Sequence, residues 1–213
     1  MAVEFVAAGA FTSSTDALTV ELPGSQSDGK VALLLVESGW TDTVSVSGWT
    51  AVSTSPQGNS ANAHKLSVLY KIVGSSESSV SIADPGNHGA AQILVFSGVD
   101  ATTPIDAAGG QSSASSDTEL WLTGVTTTVA GCGVLYIAGT GRDGTTTAQF
   151  SGWSNGNLAS ITEIADATTG VAGGGGFGVA WGVLAEAGLS GVTIVTQAVS
   201  SIWSGITVAL KPA

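Results

Sequence analysis

The side chains of this chain that could do chemistry are sixteen carboxylates, two histidines, one cysteine and six tryptophans. Two carboxylates brought together in space can hydrolyse a glycoside. Glu77, Asp84, Glu163 and Asp166 are the candidates, and the sequence alone does not pair them. His64 follows Asn62-Ala63 and His88 sits in Asn87-His88-Gly89, contexts that read as solvent-exposed turns. Half of a metal site is the sharper alternative. Cys132 lies in the apolar run Gly131-Cys132-Gly133-Val134-Leu135-Tyr136. A nucleophilic thiol needs a base and an electropositive setting, so a small buried hydrophobe is the expected role. Asp100, in Gly98-Val99-Asp100, and Asp106, in Pro104-Ile105-Asp106, can each turn the chain by bonding backbone N–H groups. The competing reading joins both carboxylates in a calcium site, which needs six or more oxygens. The metalloprotease, CxxC, GxSxG and Walker patterns are missing. Gly173-Gly174-Gly175-Gly176 has no nearby Lys or Arg that would make it a phosphate cradle, and reads as a mobile or tightly packed loop. The expectation is therefore a non-enzyme with no catalytic residue, no cofactor and no metal ligand.

Composition narrows the class. The 213 residues carry Asp+Glu 16 against Lys+Arg 5, a formal charge of −11, which repels phosphate backbones and anionic lipid. Neither nucleic acid nor a membrane is an expected partner. With 43% hydrophobic and only 10% charged residues, the chain has the reverse of a disordered composition. Its polar surface must be built from Ser, Thr, Gly and Asn. No apolar run approaches the about 18 residues of a membrane helix. The start, Met1-Ala2-Val3-Glu4-Phe5, has neither the basic nor the long apolar part of a secretion signal. If the protein works outside a cell, release by lysis would satisfy this, and so would a leaderless or clipped chain.

The elements that would position these groups are strands. Short β-branched runs alternate with Gly/Ser/Asn/Asp turns throughout, and Asp100–Ala108, with Pro104 inside it, reads as a turn rather than a helix. The strand pattern occurs twice. Val31–Val36 matches Cys132–Ile137, and Ser47-Gly48-Trp49 matches Ser151-Gly152-Trp153. Leu66–Lys71 matches Phe177–Gly182, Ser79–Ile82 matches Gly191–Ile194, and Ala91–Phe96 matches Gly205–Leu210. Two units that each expose one apolar face bury those faces together. The predicted fold is all-β: a jelly-roll-like two-sheet sandwich built from two diverged repeats. It forms a single domain over 1–213, with halves at about 25–100 and 125–213, a connector at 101–124, and the first strands completing a sheet edge. Trp49 and Trp153, and Tyr70 and Trp181, should occupy equivalent, largely buried sites. Trp40, Trp121 and Trp203 have no repeat mate, and one of them on a surface could stack on a sugar or plug a neighbouring subunit.

These residues also carry a resemblance. Pro23, Asp28-Gly29, Gly48-Trp49-Thr50, Ser67–Lys71, Ser76-Glu77, Val95–Asp100, Pro104–Asp106 and the ending Gly205–Pro212 resemble a β-sandwich module of phage virion and tail-associated proteins and of repetitive secreted bacterial proteins. Lys30 stands where that pattern usually has an acidic residue. The resemblance implies a virion structural protein: a capsid decoration or cement protein, or a small head fibre, of a bacteriophage. The expected partners are itself, as a homotrimer, and other virion proteins such as the major capsid protein. The expected location is the virion. The alternative is a tail-associated receptor-binding or carbohydrate-binding adhesion module, with a cell-surface glycan as partner.

Overall fold

The computed structural model describes residues 1–24, 29–39, 44–59, 64–74, 77–144 and 148–213. The first half contributes β1 (Glu4–Ala8), β2 (Thr12–Ser14), β3 (Leu18–Glu21), β4 (Val31–Ser38), β5 (Thr50–Ala51), β6 (Gln57–Asn59), β7 (His64–Ile72), β8 (Ser79–Ile82) and β9 (Gly89–Ser97). The second contributes β10 (Ile105–Leu122), β11 (Cys132–Thr140), β12 (Phe150–Asn155), β13 (Thr162–Thr169), β14 (Gly175–Leu184) and β15 (Thr193–Leu210). One sheet runs β1-β9-β4-β7-β5 and the other β10-β15-β11-β14-β13. Beside these paths β2 pairs with β9, β6 with β7 and β12 with β15, and β3 and β8 form a small sheet of their own. All pairs are antiparallel. The fold is an all-β sandwich.

Taken in chain order, the five path strands of each sheet lie first, fifth, second, fourth, third. The edge strands even share a defect. Register slips between Phe5 and Ala7 in β1 and between Ile105 and Ala107 in β10, so Val6 and Asp106 are matching bulges. The segment 101–124 is thus no mere connector. Most of it is β10, which plays the part of β1 and β3 for the second half. The repeat units begin earlier than the boundaries at 25 and 125.

The central strands explain the apolar runs. Every residue of β4 and of β11 is buried. Side chains alternate between two faces, and here both are covered. Val31, Leu33 and Leu35 meet Leu135, Ile137, Phe177, Val179 and Val208 in a core shared by the two large sheets. Ala32, Leu34 and Val36 point the other way, into a second core closed by Leu18, Val20, Val80 and Ile82 of the β3–β8 flap. In the second half Val134, Tyr136 and Ala138 are covered by Leu120, Leu122 and Val195. There the flap is the far end of the same β10–β15 ribbon, which pairs on through Leu120↔Val195 and Leu122↔Thr193. The sandwich therefore has a flap outside each of its two sheets.

Register corrects the sequence alignment. Leu33 pairs with Tyr70, and Leu135 with Trp181, so Leu33 corresponds to Leu135 and Val31 to Gly133, one residue off the match drawn above. Tyr70 and Trp181 do occupy matching places. Trp49 and Trp153 do not. Thr50 pairs with Tyr70 and Thr162 with Trp181, which makes Ile161 the mate of Trp49. Trp153 lies in β12, on a different neighbour, β15.

Because one core is shared, the halves should unfold together. Leu33→Ala and Leu135→Ala are each expected to cost about 2–5 kcal/mol and to lower one common calorimetric transition. Two transitions, each moved only by the variant in its own half, would contradict this.

Candidate functional site

The most concentrated polar chemistry lies between the sheets. Glu37 stands near the end of β4, His64 opens β7, His88 immediately precedes β9, and Ser204 comes from β15 of the opposite sheet. His64 Nδ1 is 3.2 Å from Glu37 Oε1, and its Nε2 is 2.7 Å from Ser204 Oγ. His88 Nε2 is 3.2 Å from the same Glu37 oxygen. Two glycines of the second sheet make the room. A Cβ at Gly139 would stand 3.0 Å from Ser204 Oγ, and one at Gly175 would stand 2.3 Å from the Glu37 carboxyl carbon. Gly174, Gly175 and Gly176 of the glycine run are thus packed, while Gly173 is open. Both histidines are buried, not solvent-exposed turn residues as their Asn-rich contexts suggested.

Serine, histidine and glutamate in this order have the connectivity of a hydrolytic triad, but not the setting of one. Glu37, His64 and Ser204 are all fully buried. Ser204 lies inside a strand flanked by Ser112 and Gly139. A triad serine instead sits on an exposed sharp turn beside free backbone N–H groups that stabilise the oxyanion. The cluster is a polar bridge that fixes one sheet against the other.

Of the other candidates, Glu163 and Asp166 share β13 and feel each other's charge, while Glu77 and Asp84 lie elsewhere. Asp166 Oδ2 accepts backbone N–H bonds from Gln149 and Phe150, at 2.8 and 2.9 Å. Its Oδ1 is buried without a hydrogen-bond partner among the described residues. Burial pushes the Asp166 carboxyl up to about 6, and the charge of Glu163 adds to this against the two N–H bonds. Glu163 accepts a 2.6 Å bond from the Trp153 indole. Glu77 is paired with Lys71, and Asp84 accepts the Gly86 N–H at 2.9 Å. These four carboxylates do not form one acid–base site.

Asp100 accepts the Thr102 and Thr103 N–H groups and pairs with Lys211 at 3.1 Å, and these contacts hold its carboxyl well below the usual range. Asp106 instead takes the Thr128 N–H at 2.7 Å. The two corners thus have separate partners. Among the described residues no three His, Cys, Asp or Glu are grouped to hold a metal ion, and no helix is long and apolar enough to cross a membrane. Cys132 is buried, and desolvation, followed by the Asp106 charge, pushes its thiol up to about 11.

The tryptophans redistribute the expected surface and core. Trp49, Trp153, Tyr70 and Trp181 are half-buried rather than buried. Trp203, one of the three without a repeat mate, is 8% exposed and donates to Asp117 at 3.1 Å. Trp40 lies outside the described residues. Trp121 is 55% exposed on the outer side of the β10–β15 ribbon, its indole held by Glu119 at 2.9 Å and its carbonyl by Gln111 at 2.7 Å. Exposed Val192 directly precedes β15, and exposed Leu189 bridges to Thr126 just beyond the ribbon.

An open pocket of about 290 Å³ sits beside Trp49, between the first sheet and its flap. Its polar lining is Ser47, Lys71, Glu77, Ser79 and Ser81. Composition gave no signal for it, because the pair and the indole come from three separate stretches of chain.

Compared with models of known families, with curated proteins and with solved structures, the chain matches none.

The raised Asp166 acid gives a pH test. Its contribution to stability is fully present below about 3.8 and is lost as pH rises through about 6. The full shift corresponds to at most ~3 kcal/mol, and partial solvent access reduces it to about 1–2 kcal/mol. Asp166→Asn keeps an oxygen for the two N–H groups. Denaturant titrations from pH 4 to 8 should show the variant gaining on the wild type by that amount, and a constant difference would contradict the burial argument.

Proposed function

We propose that this chain is a non-enzymatic structural module of a virion, serving as a capsid decoration protein or small head fibre of a bacteriophage. The resemblance of its turn and core motifs to virion modules supports this reading. So does the way its candidate acids, bases and thiol are committed to packing, backbone bonds or ion pairs. The observation that carries it is the outer side of the β10–β15 ribbon. Trp121 is exposed there, with exposed Val192 and Leu189 just beyond the ribbon's end, and Tyr, Trp and Phe are enriched where proteins meet while Lys, Glu and Asp are depleted. The matching flap of the first half instead turns Thr19, Glu21, Ser79 and Ser81 outward. On this reading the halves are copies of one unit, and the second has become the attachment side, meeting further copies of the chain in a trimer and the major capsid protein beneath.

A second reading, a tail-associated adhesion module, is favoured by the pocket beside Trp49.

Purified particles should contain the chain at a copy number set by capsid symmetry. Trp121→Ser should lower incorporation at least tenfold with little change in melting temperature, because its ring packs into no core. Absence from particles, or undiminished incorporation of the variant, would contradict the proposal. Sedimentation of the free protein at micromolar concentration should give a trimer, and a clean monomer would count against self-association.

A further inference from the structure

We propose that the pocket beside Trp49 binds a single ring of a neutral sugar. Its volume, about 290 Å³, lies at the small end of ligand sites, suited to one terminal ring rather than a long oligosaccharide. Trp49, half-buried, lines the pocket, and an indole is a side chain of the kind that packs against the C–H face of a pyranose. Opposite chemistry is already in place. Lys71 and Glu77 form an ion pair, and the Gly74 N–H, 3.1 Å from Glu77 Oε2, fixes the carboxylate. The ammonium is donor only and the carboxylate acceptor only, while the hydroxyl of Ser47 can do either. Neighbouring sugar hydroxyls need this mixture, since each both donates and accepts. The paired charges cancel, so the site has no excess charge to attract an ion, and the −11 of the chain disfavours anionic sugars.

The second half shows that the frame does not require these residues. By strand register Trp181 takes the place of Tyr70, so Gly182 takes that of Lys71, and Ile161 that of Trp49. There the space is closed. A Cβ on Gly182 would stand 3.0 Å from Leu158 Cδ1 and 2.1 Å from the Ser160 carbonyl oxygen. Where the position serves packing alone, the fold uses Gly, Leu and Ile. In the first half it keeps an indole, an ion pair and an open volume. Gly48, at φ +78°, turns the chain so that its own Cα faces the Lys71 ammonium, where a Cβ would be 3.5 Å from Nζ.

This site is independent of particle attachment through the ribbon. The test is a titration of the full chain with methyl glycosides of glucose, galactose, mannose and N-acetylglucosamine, and with sialic acid as the anionic control. Tryptophan fluorescence and saturation-transfer NMR would be the readouts. At least one neutral glycoside should bind saturably, with a dissociation constant of roughly 0.1–10 mM. Trp49→Ala should weaken it more than tenfold, and Trp121→Ser should leave it unchanged. The double variant Lys71→Gln, Glu77→Gln, whose fold is checked by near-ultraviolet circular dichroism, should weaken binding similarly and decides the matter if Trp49→Ala does not fold. The proposal is overturned if no neutral glycoside binds, if sialic acid binds as tightly, or if binding survives the pocket variants or is lost in Trp121→Ser.

Discussion

Covering both faces of β4 and β11 is the constraint on which the rest of this structure depends. A strand buried on one face needs a single partner layer, but these two need two each. The shared core supplies the inner layer. The β3–β8 pair and the folded-over end of the β10–β15 ribbon supply the outer ones. With few charged residues available, the frame ties its polar points internally. The Glu37–His64–Ser204 bridge crosses between sheets at one end of the shared core, where glycines 139 and 175 leave space that side chains would fill.

The same constraint decides how much could be read in advance. Strand content, the order of the repeated segments and the joining of two apolar faces were legible, because turns punctuate the chain and β-branched runs fill the intervals. Register was not. A run such as Val31–Val36 has no polar alternation to mark its faces, and a one-residue slip exchanges them completely. The match of Val80 and Ile82 to Val192 and Ile194 failed for a related reason. The buried residues opposite Leu122 and Leu120 are Thr193 and Val195, while Val192 is exposed on the outer side. An apolar residue turned outward looks, in sequence, like a core position. Ser-Gly-Trp was misleading in another way. Gly48 and Gly152 both adopt positive φ, yet one lies in the turn before β5 and the other in a bulge of β12, a strand with no counterpart among the described residues of the first half.

The candidate chemistry was legible as residue types and not as places. His64 and His88 read as turn residues from their asparagine neighbours, but His64 opens a central strand and meets a carboxylate from β4 and a hydroxyl from the other sheet. No local pattern encodes a contact across 140 residues. The pocket beside Trp49 is equally non-local. What distinguishes it is comparison within the molecule, because one frame used twice shows which side chains the frame itself requires. By that standard the first half departs from packing needs at Trp49, Lys71 and Glu77, and the second at Trp121 and its exposed neighbours. The first departure borders the β3–β8 flap, and the second lies on the β10–β15 ribbon.

Native-state hydrogen exchange on the intact chain tests the shared core most directly. If the two sheets form one cooperative body, the slowest amides of β4, β7 and β9 and those of β11, β14 and β15 will exchange with one common opening free energy, equal to that of global unfolding. A lower plateau confined to the strands of one half would show that half opening alone, and would contradict the account.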